Sequence, residues 1–255
     1  MIRVGVIGAR GKMGGEVCRA ILGADDLELV AVTDRDARGD PIGEIEVVSD
    51  LSAIAGAGTE VAVDFTHPTV VIDDARRCLA DGVHVVVGTS GVTPEGLEEI
   101  RVLAESGPAN AIVVPNFAVG AVLMMRFAEE AARHFDAVEV MELHHDGKAD
   151  APSGTAVATA RRVGAARAGT WSAPSGDEAH PGARGADVEG IRVHSVRLPG
   201  LLAHQEVVFG GPGETLTIRH DSTDRSSFMA GVLLAIRSVG SRPGLTVGLE
   251  PLLEG

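Results

Sequence analysis

Short apolar runs at residues 2–7, 27–33, 61–65, 84–87 and 112–114 alternate, through the first half of the chain, with longer segments whose apolar residues recur at helical spacing. The short runs are of strand length, and the intervening segments at 11–22, 68–80 and 94–105 are of helix length. Pro68 and Pro94 stand near the start of two of these segments, where a helix accepts a residue without an N–H. A strand, a helix and a further strand in strict alternation make parallel crossover units, so the pattern predicts a doubly wound parallel sheet.

The character changes after Phe117. A helical pattern from Val119 to about Phe135 leads into an alternating strand at 137–143, a polar loop and a helix from Ser153, with its apolar spacing at 156–166. Three β-type runs follow at 191–198, 204–209 and 214–220, joined by Gly and Pro turns too short for crossover helices. They predict a second α+β domain with a mixed, largely antiparallel sheet. Residues 169–187, rich in Gly, Ala, Ser and Pro, read as a surface loop of that domain. A last helical run at about 225–239 is expected to rejoin the first domain. The expected division is thus 1–118 with 228–255, and 119–227.

Composition narrows the class. The 255 residues carry 22 Lys and Arg against 36 Asp and Glu, a formal charge of −14, which argues against a nucleic-acid partner because such a partner needs a basic footprint. No apolar stretch approaches the roughly 20 residues of a membrane span, and the N-terminus enters a strand without a signal-type pattern. Cys18 and Cys78 lie in helical segments without metal-type spacing. A cytoplasmic protein with no membrane partner is expected.

The first strand runs directly into Gly8-Ala9-Arg10-Gly11-Lys12-Met13-Gly14, which then opens a helix. Glycines there let the backbone turn sharply and approach a pyrophosphate, whose charge meets the helix's N-terminal amides. Gly8 through Met13 are therefore candidate dinucleotide contacts. Asp34 follows the second strand, 20 residues beyond Gly14, where a carboxylate would accept from a ribose 2′-hydroxyl and favour NADH. Its neighbour Arg35, with Arg10 and Lys12, could instead meet a 2′-phosphate, so NADH, NADPH or both are expected. Gly88-Thr89-Ser90 and Val114-Pro115-Asn116-Phe117, at two further strand ends, are candidates for the rest of the cofactor cleft.

The run His144-His145-Asp146-Gly147-Lys148-Ala149-Asp150-Ala151-Pro152-Ser153-Gly154-Thr155 crowds two imidazoles, an ammonium and a helix opening into one strand-to-helix loop. The residue three beyond Ser153 is Ala156, so no capping box fills the helix start, and its amides with Lys148 suit a carboxylate. Lys148 can also donate a proton, and His144 and His145 bring groups that titrate near neutrality. Ser153 also reads as an ordinary N-cap, and Glu142 and Asp150 as orienting or structural groups. Two adjacent histidines without a third spaced ligand do not make a metal motif, so no metal is expected.

With these residues in place, the chain resembles the dihydrodipicolinate reductase (4-hydroxy-tetrahydrodipicolinate reductase) family over essentially its whole length. The resemblance is carried most specifically by the uninterrupted run from Glu142 to Ala156, and also by Gly8–Gly14, Asp64-Phe65-Thr66-His67-Pro68, Gly88-Thr89-Ser90-Gly91, Pro115-Asn116-Phe117 and the stretch from Gly211 to His220. Ser90 stands where the family often has a second threonine and keeps the hydroxyl. The resemblance implies a Rossmann-type dinucleotide-binding domain and a substrate-binding domain whose sheet packs into a homotetramer. It implies reduction of a small dicarboxylate by NADH or NADPH in lysine and diaminopimelate synthesis, the hydride going to the ring C4 after loss of water. Lys148 is then a catalytic proton donor and His144 a catalytic donor and acceptor, while His145, Lys148, Ser153, Gly154 and Thr155 hold substrate. An amino-acid or oxo-acid dehydrogenase of similar design, such as aspartate dehydrogenase, would lack this uninterrupted run. A non-catalytic nucleotide-sensing relative would lack the proton-handling side chains.

Overall fold

The computed structural model describes residues 1–167, 169–172 and 176–254, so part of the loop expected at 169–187 lies outside the described residues. In chain order the strands are β1 (Ile2–Ile7), β2 (Leu27–Thr33), β3 (Val47–Val48), β4 (Val61–Asp64), β5 (His84–Val87) and β6 (Ala111–Val113), then β7 (Ala137–His144), β8 (Ala186–Val188), β9 (Ile191–Arg197), β10 (Ala203–Gly211), β11 (Glu214–Ser222) and β12 (Leu245–Val247). The helices are α1 (Lys12–Leu22), α2 (Ser52–Gly56), α3 (Val71–Ala80), α4 (Pro94–Ser106), α5 (Val119–Ala131), α6 (Gly154–Ala165), α7 (Met229–Val239) and α8 (Glu250–Leu253). The chain divides into two compact units, residues 1–117 with 228–255 and residues 118–227.

The first unit holds a seven-stranded sheet in the order β12-β6-β5-β4-β1-β2-β3, every pair parallel. This is a Rossmann-type order, with its reversal between β1 and β4, where the carboxyl ends of neighbouring strands leave a crevice. Because α1 packs with α7 and α3 with α4 over the sheet, the central strands are buried along their length. Val61, Ala62, Val63 and Asp64 of β4 are all inaccessible or nearly so. That explains their continuous rather than alternating apolar pattern.

The second unit holds a five-stranded sheet in the order β11-β10-β7-β9-β8. It is mixed: β10 runs antiparallel to β7 and β11, whereas β7 and β9 are parallel. Val138 and Val140 of β7, Val207 and Phe209 of β10 and Ala156 and Ala160 of α6 share one apolar core. Glu142 continues the buried row of β7, one step beyond Val140.

Several boundaries differ from the sequence expectation, four of them as follows. α3 begins at Val71 rather than Pro68, because the His67 carbonyl accepts from Val70 N and Val71 N and its ring from Thr69 N, which closes a separate turn. α5 stops at Ala131, where i to i−3 bonds from Arg133 and His134 tighten the chain towards β7. The last helical run divides into a 3₁₀ turn at Arg225–Phe228 and α7. His144 is the final residue of β7 rather than the first of a loop.

Candidate active site

A cleft of about 610 Å³ opens in the first unit at the carboxyl ends of β1, β4 and β5. It gathers six of the expected cofactor residues, Gly11, Lys12 and Met13 after β1 and Gly88, Thr89 and Ser90 after β5. Gly11 is the N-cap of α1, and no side chain caps that helix start. Its amides and the Lys12 ammonium form the donor set a pyrophosphate needs, so the residues fit a dinucleotide. The turn depends on two glycines. Gly8 has φ +81°, and a Cβ on Gly14 would lie 2.1 Å from the Gly8 carbonyl oxygen.

The other cofactor candidates lie around this cleft without lining it. Asp34 accepts from Arg10 N at 2.8 Å and Asp36 N at 3.0 Å, and the Arg10 guanidinium donates to the Asp40 carbonyl at 2.6 Å. The carboxylate expected to meet a ribose is therefore tied to the glycine loop. Arg35 is exposed. Ala9 and Val114 are buried, Pro115 is exposed and Asn116 partly so. The buried Phe117 ring packs on Phe65 with centroids 5.6 Å apart. Sequence reasoning did not assign Phe65, Thr66, His67 and Pro68 to the site, yet they form the wall of the cleft after β4. The signal available was position, since a polar turn directly follows a buried strand.

In the second unit, the end of β7 builds a network around Glu142, which is fully buried. Arg197 Nη1 and Nη2 donate to its two oxygens at 2.9 and 2.8 Å, a bidentate pair. Ser153 N donates to Glu142 Oε1 at 3.2 Å, and His144 Nδ1 lies 2.5 Å from Oε2. Register explains the meeting: in the parallel pair β7 and β9, Glu142 stands beside Ser195 and His144 beside Arg197, so all four side chains share a face. Arg197 also donates to the Asp150 carbonyl at 2.5 Å, which ties the loop back to the sheet. Arg197 was not assigned from sequence, because nothing local marks a partner 55 residues away.

Burial pushes the Glu142 carboxyl upwards, but hydrogen bonds from Arg197, Ser195 and His144 outweigh it and hold the group below its ordinary value. Burial pushes His144 below the usual imidazole range against the opposing pull of Glu142, and the Lys148 and Arg197 charges act in the same direction as burial. His144 is therefore neutral near pH 7. With a carboxylate facing Nδ1, that nitrogen carries the hydrogen, and Nε2 is left as the acceptor.

Lys148 Nζ pairs with Asp150 Oδ1 at 2.7 Å, and Lys148 N donates to the His145 carbonyl at 3.2 Å. His145 is partly buried. Ser153 Oγ accepts from Ala156 N at 3.2 Å. Of the two readings of the start of α6, the ordinary cap is the one present: Ser153 is buried and serves as the N-cap, and the following Gly154 is exposed and Thr155 partly exposed. Among the described residues, no group of three or more His, Cys, Asp or Glu side chains could hold a metal ion.

Family models for dihydrodipicolinate reductase match the chain twice, the N-terminal model over residues 2–117 and the C-terminal model over residues 120–253. A 4-hydroxy-tetrahydrodipicolinate reductase of Nocardia farcinica is 56% identical over 257 residues, 99% of each chain, and one of Mycolicibacterium vanbaalenii is 53% identical over 255 residues, again 99% of each. A dipicolinate-bound dihydrodipicolinate reductase from Paenisporosarcina sp. TG-14 superposes with a TM-score of 0.89 at 44% identity, covering 98% of this chain and 99% of that one. Aspartate dehydrogenase from Thermotoga maritima shares only the fold, with a TM-score of 0.54 at 12% identity over 95% of this chain and 98% of that one. Matched from end to end at this identity, the chain belongs to the dihydrodipicolinate reductase family.

Proposed function

We propose that the chain catalyses the NAD(P)H-dependent reduction of 4-hydroxy-tetrahydrodipicolinate to tetrahydrodipicolinate with loss of water, in lysine and diaminopimelate synthesis. The observation that carries this reading is the buried Glu142 joining His144, Arg197 and the start of α6, with Lys148 on the same loop. NADH or NADPH, when bound, supplies the hydride. The residues of the chain do the rest.

Gly8–Met13 and the α1 amides hold the pyrophosphate, Asp34, Arg35, Arg10 and Lys12 the ribose end, and the turns at 88–90 and 114–117 the remainder. Carboxylate and cations stand together at the ribose end, so either nucleotide is accommodated. Residues 1–118 with 228–255 are the dinucleotide-binding domain, and residues 119–227 bind substrate and carry the oligomer contacts.

Lys148 Nζ carries the proton delivered to the substrate, and His144 Nε2 accepts and returns one, with Nδ1 anchored on Glu142. His145, Lys148, Ser153, Gly154 and Thr155 hold the two carboxylates; because Ser153 Oγ is engaged in capping, its part is to set the helix start that Gly154 and Thr155 present. A dicarboxylate ligand accords with the dipicolinate carried by the Paenisporosarcina relative.

A homotetramer is the proposed assembly. α5 and α6 pack on one face of the five-stranded sheet, while Met141, Leu143 and Val208 of the opposite face are only partly buried. Among the described residues no helix is long and apolar enough to cross a membrane, which accords with a cytoplasmic location.

Freshly prepared 4-hydroxy-tetrahydrodipicolinate should oxidise NADH or NADPH in the presence of the chain, and failure with both nucleotides overturns the reading. Gly14→Ala should weaken NADH binding about tenfold or more, because displacing a preorganised loop by about 1 Å is costly and the added Cβ would overlap the Gly8 carbonyl. Fluorescence titration with NADH measures this, and an unchanged dissociation constant would remove the loop from the cofactor site.

A further inference from the structure

Asp64 ends β4 with no exposed surface, a costly location for a carboxyl group unless its oxygens are satisfied. Its hydrogen bonds are lopsided. Oδ1 accepts three, from Thr66 N at 2.9 Å, Thr66 Oγ1 at 2.7 Å and Thr89 Oγ1 at 2.9 Å. Oδ2 is buried and, among the described residues, accepts none. A second carboxyl, Asp74 of α3, lies within hydrogen-bonding reach of the Asp64 side chain. Two neighbouring carboxylates, one buried and the other half-buried, repel, whereas a proton between them makes a hydrogen bond. An acid proton on Asp64 Oδ2, donated to Asp74, satisfies the orphaned oxygen and its neighbour together. Burial raises both groups, Asp64 to about 6.

The bonds on Oδ1 reach two walls of the cleft, since Thr66 and Thr89 line it after β4 and β5. The Asp64 carbonyl also accepts from Gly88 N at 2.8 Å. We propose that Asp64 is a positioning residue for the cofactor, holding the turns after β4 and β5 through Thr66 and Thr89 while sharing one proton with Asp74. This rests on the reading that the cleft holds NADH or NADPH.

The charged and titratable groups around the pair are Cys78 on α3, Asp73, Arg77 and Arg35 about Asp74, and His67 in the turn that contains Thr66. Loss of the shared proton leaves two negative charges behind a cleft that takes an anion. A carboxyl raised by the fold favours its neutral form, so stability from this source is present below the ordinary aspartate range and is lost as pH rises through about 6. Cofactor affinity should weaken over the same rise.

NADH fluorescence titration of the full chain across about pH 5 to 9, where such a pair loses its proton, separates the outcomes. Asp64→Ala is expected to weaken NADH binding about tenfold, the equivalent of one or two lost hydrogen bonds, with the substrate KM unchanged. Asp64→Asn still accepts from both threonines and donates to Asp74, so it should bind within about twofold of the parent at low pH, the three acceptor bonds being kept, and lose the pH dependence. Asp74→Asn, which lies outside the cleft lining, should likewise bind normally at low pH and lose the dependence. An alanine variant that binds NADH as the parent does, an Asp64→Asn variant no better than alanine, or an Asp74→Asn variant with the parent's pH profile each overturns the proposal. If Asp64→Ala does not fold, the two asparagine variants decide. A parent chain that binds neither nucleotide instead overturns the cofactor reading, an outcome distinct from all of these.

Discussion

Lys148→Ala is expected to lower kcat by about 100-fold or more, the range a positioned proton donor contributes, and to leave the NADH dissociation constant unchanged. The two halves of this result come from different parts of the chain. Lys148 belongs to the unit formed by residues 118–227, whereas every residue lining the cleft proposed for the nucleotide belongs to the other unit. The pairing of Nζ with Asp150 keeps the ammonium on the loop before α6, and the same bond holds the Asp150 carboxyl below its ordinary value. Lys148→Arg should not restore turnover, because a guanidinium keeps its charge but does not release its proton near neutral pH. Steady-state kinetics with a parallel NADH titration measure both quantities. Unchanged turnover in Lys148→Ala removes the lysine from the chemistry.

Glu142→Ala is expected to cost about 3 kcal/mol of stability, as breaking one side of a buried ion pair does, and to lower Tm by roughly 6–12 °C on the scale of a chain this size. The cost arises on the partner. Arg197 loses both carboxylate oxygens, and Ser153 N and His144 Nδ1 lose an acceptor in the same step. Glu142→Gln keeps the volume and one acceptor, so it should unfold at an intermediate temperature. The pH dependence has a definite sign. Glu142 is held below its ordinary value of 4.5, so its contribution is present above that pH and is lost as pH falls through the lower, folded value. Thermal melts across the acid range should therefore converge for the parent and Glu142→Gln as pH falls. Curves that stay parallel would mean that Glu142 is not ionised in the fold. In Glu142→Gln the His144 ring should titrate at still lower pH, because the carboxylate is what opposes the effect of burial.

Much of the first unit was legible because its signals are local. Runs of three to seven apolar residues alternating with helical periods require parallel crossovers whatever else the chain contains, and the glycine loop announces a tight strand-to-helix turn by composition. β3, α2, β8 and β12 escaped notice for the converse reason: two to five residues are too few to display a period. The wall formed by Phe65–Pro68 escaped because its function comes from lying beside Gly88–Ser90 in space. In the second unit the His, Lys and Ser-Gly-Thr run was visible as chemistry. What it rests on was not.

The sequence by itself determined which chemistry is present and in what order: a phosphate-ready loop, an acidic residue after the second strand, and a proton-handling run between a strand and a helix. These follow from residue type and near-neighbour spacing, which the backbone translates directly into turns, caps and strand ends. Only the tertiary structure decided how those groups are held. The parallel register of β7 with β9 sets Arg197 beside His144 and makes Glu142 a buried anion. The packing of α3 over β4 sets Asp74 against Asp64. Partners of this kind are chosen by burial and register over separations of 10 to 55 residues, and it is burial that turns ordinary carboxyl groups into fixed points around which the site is built.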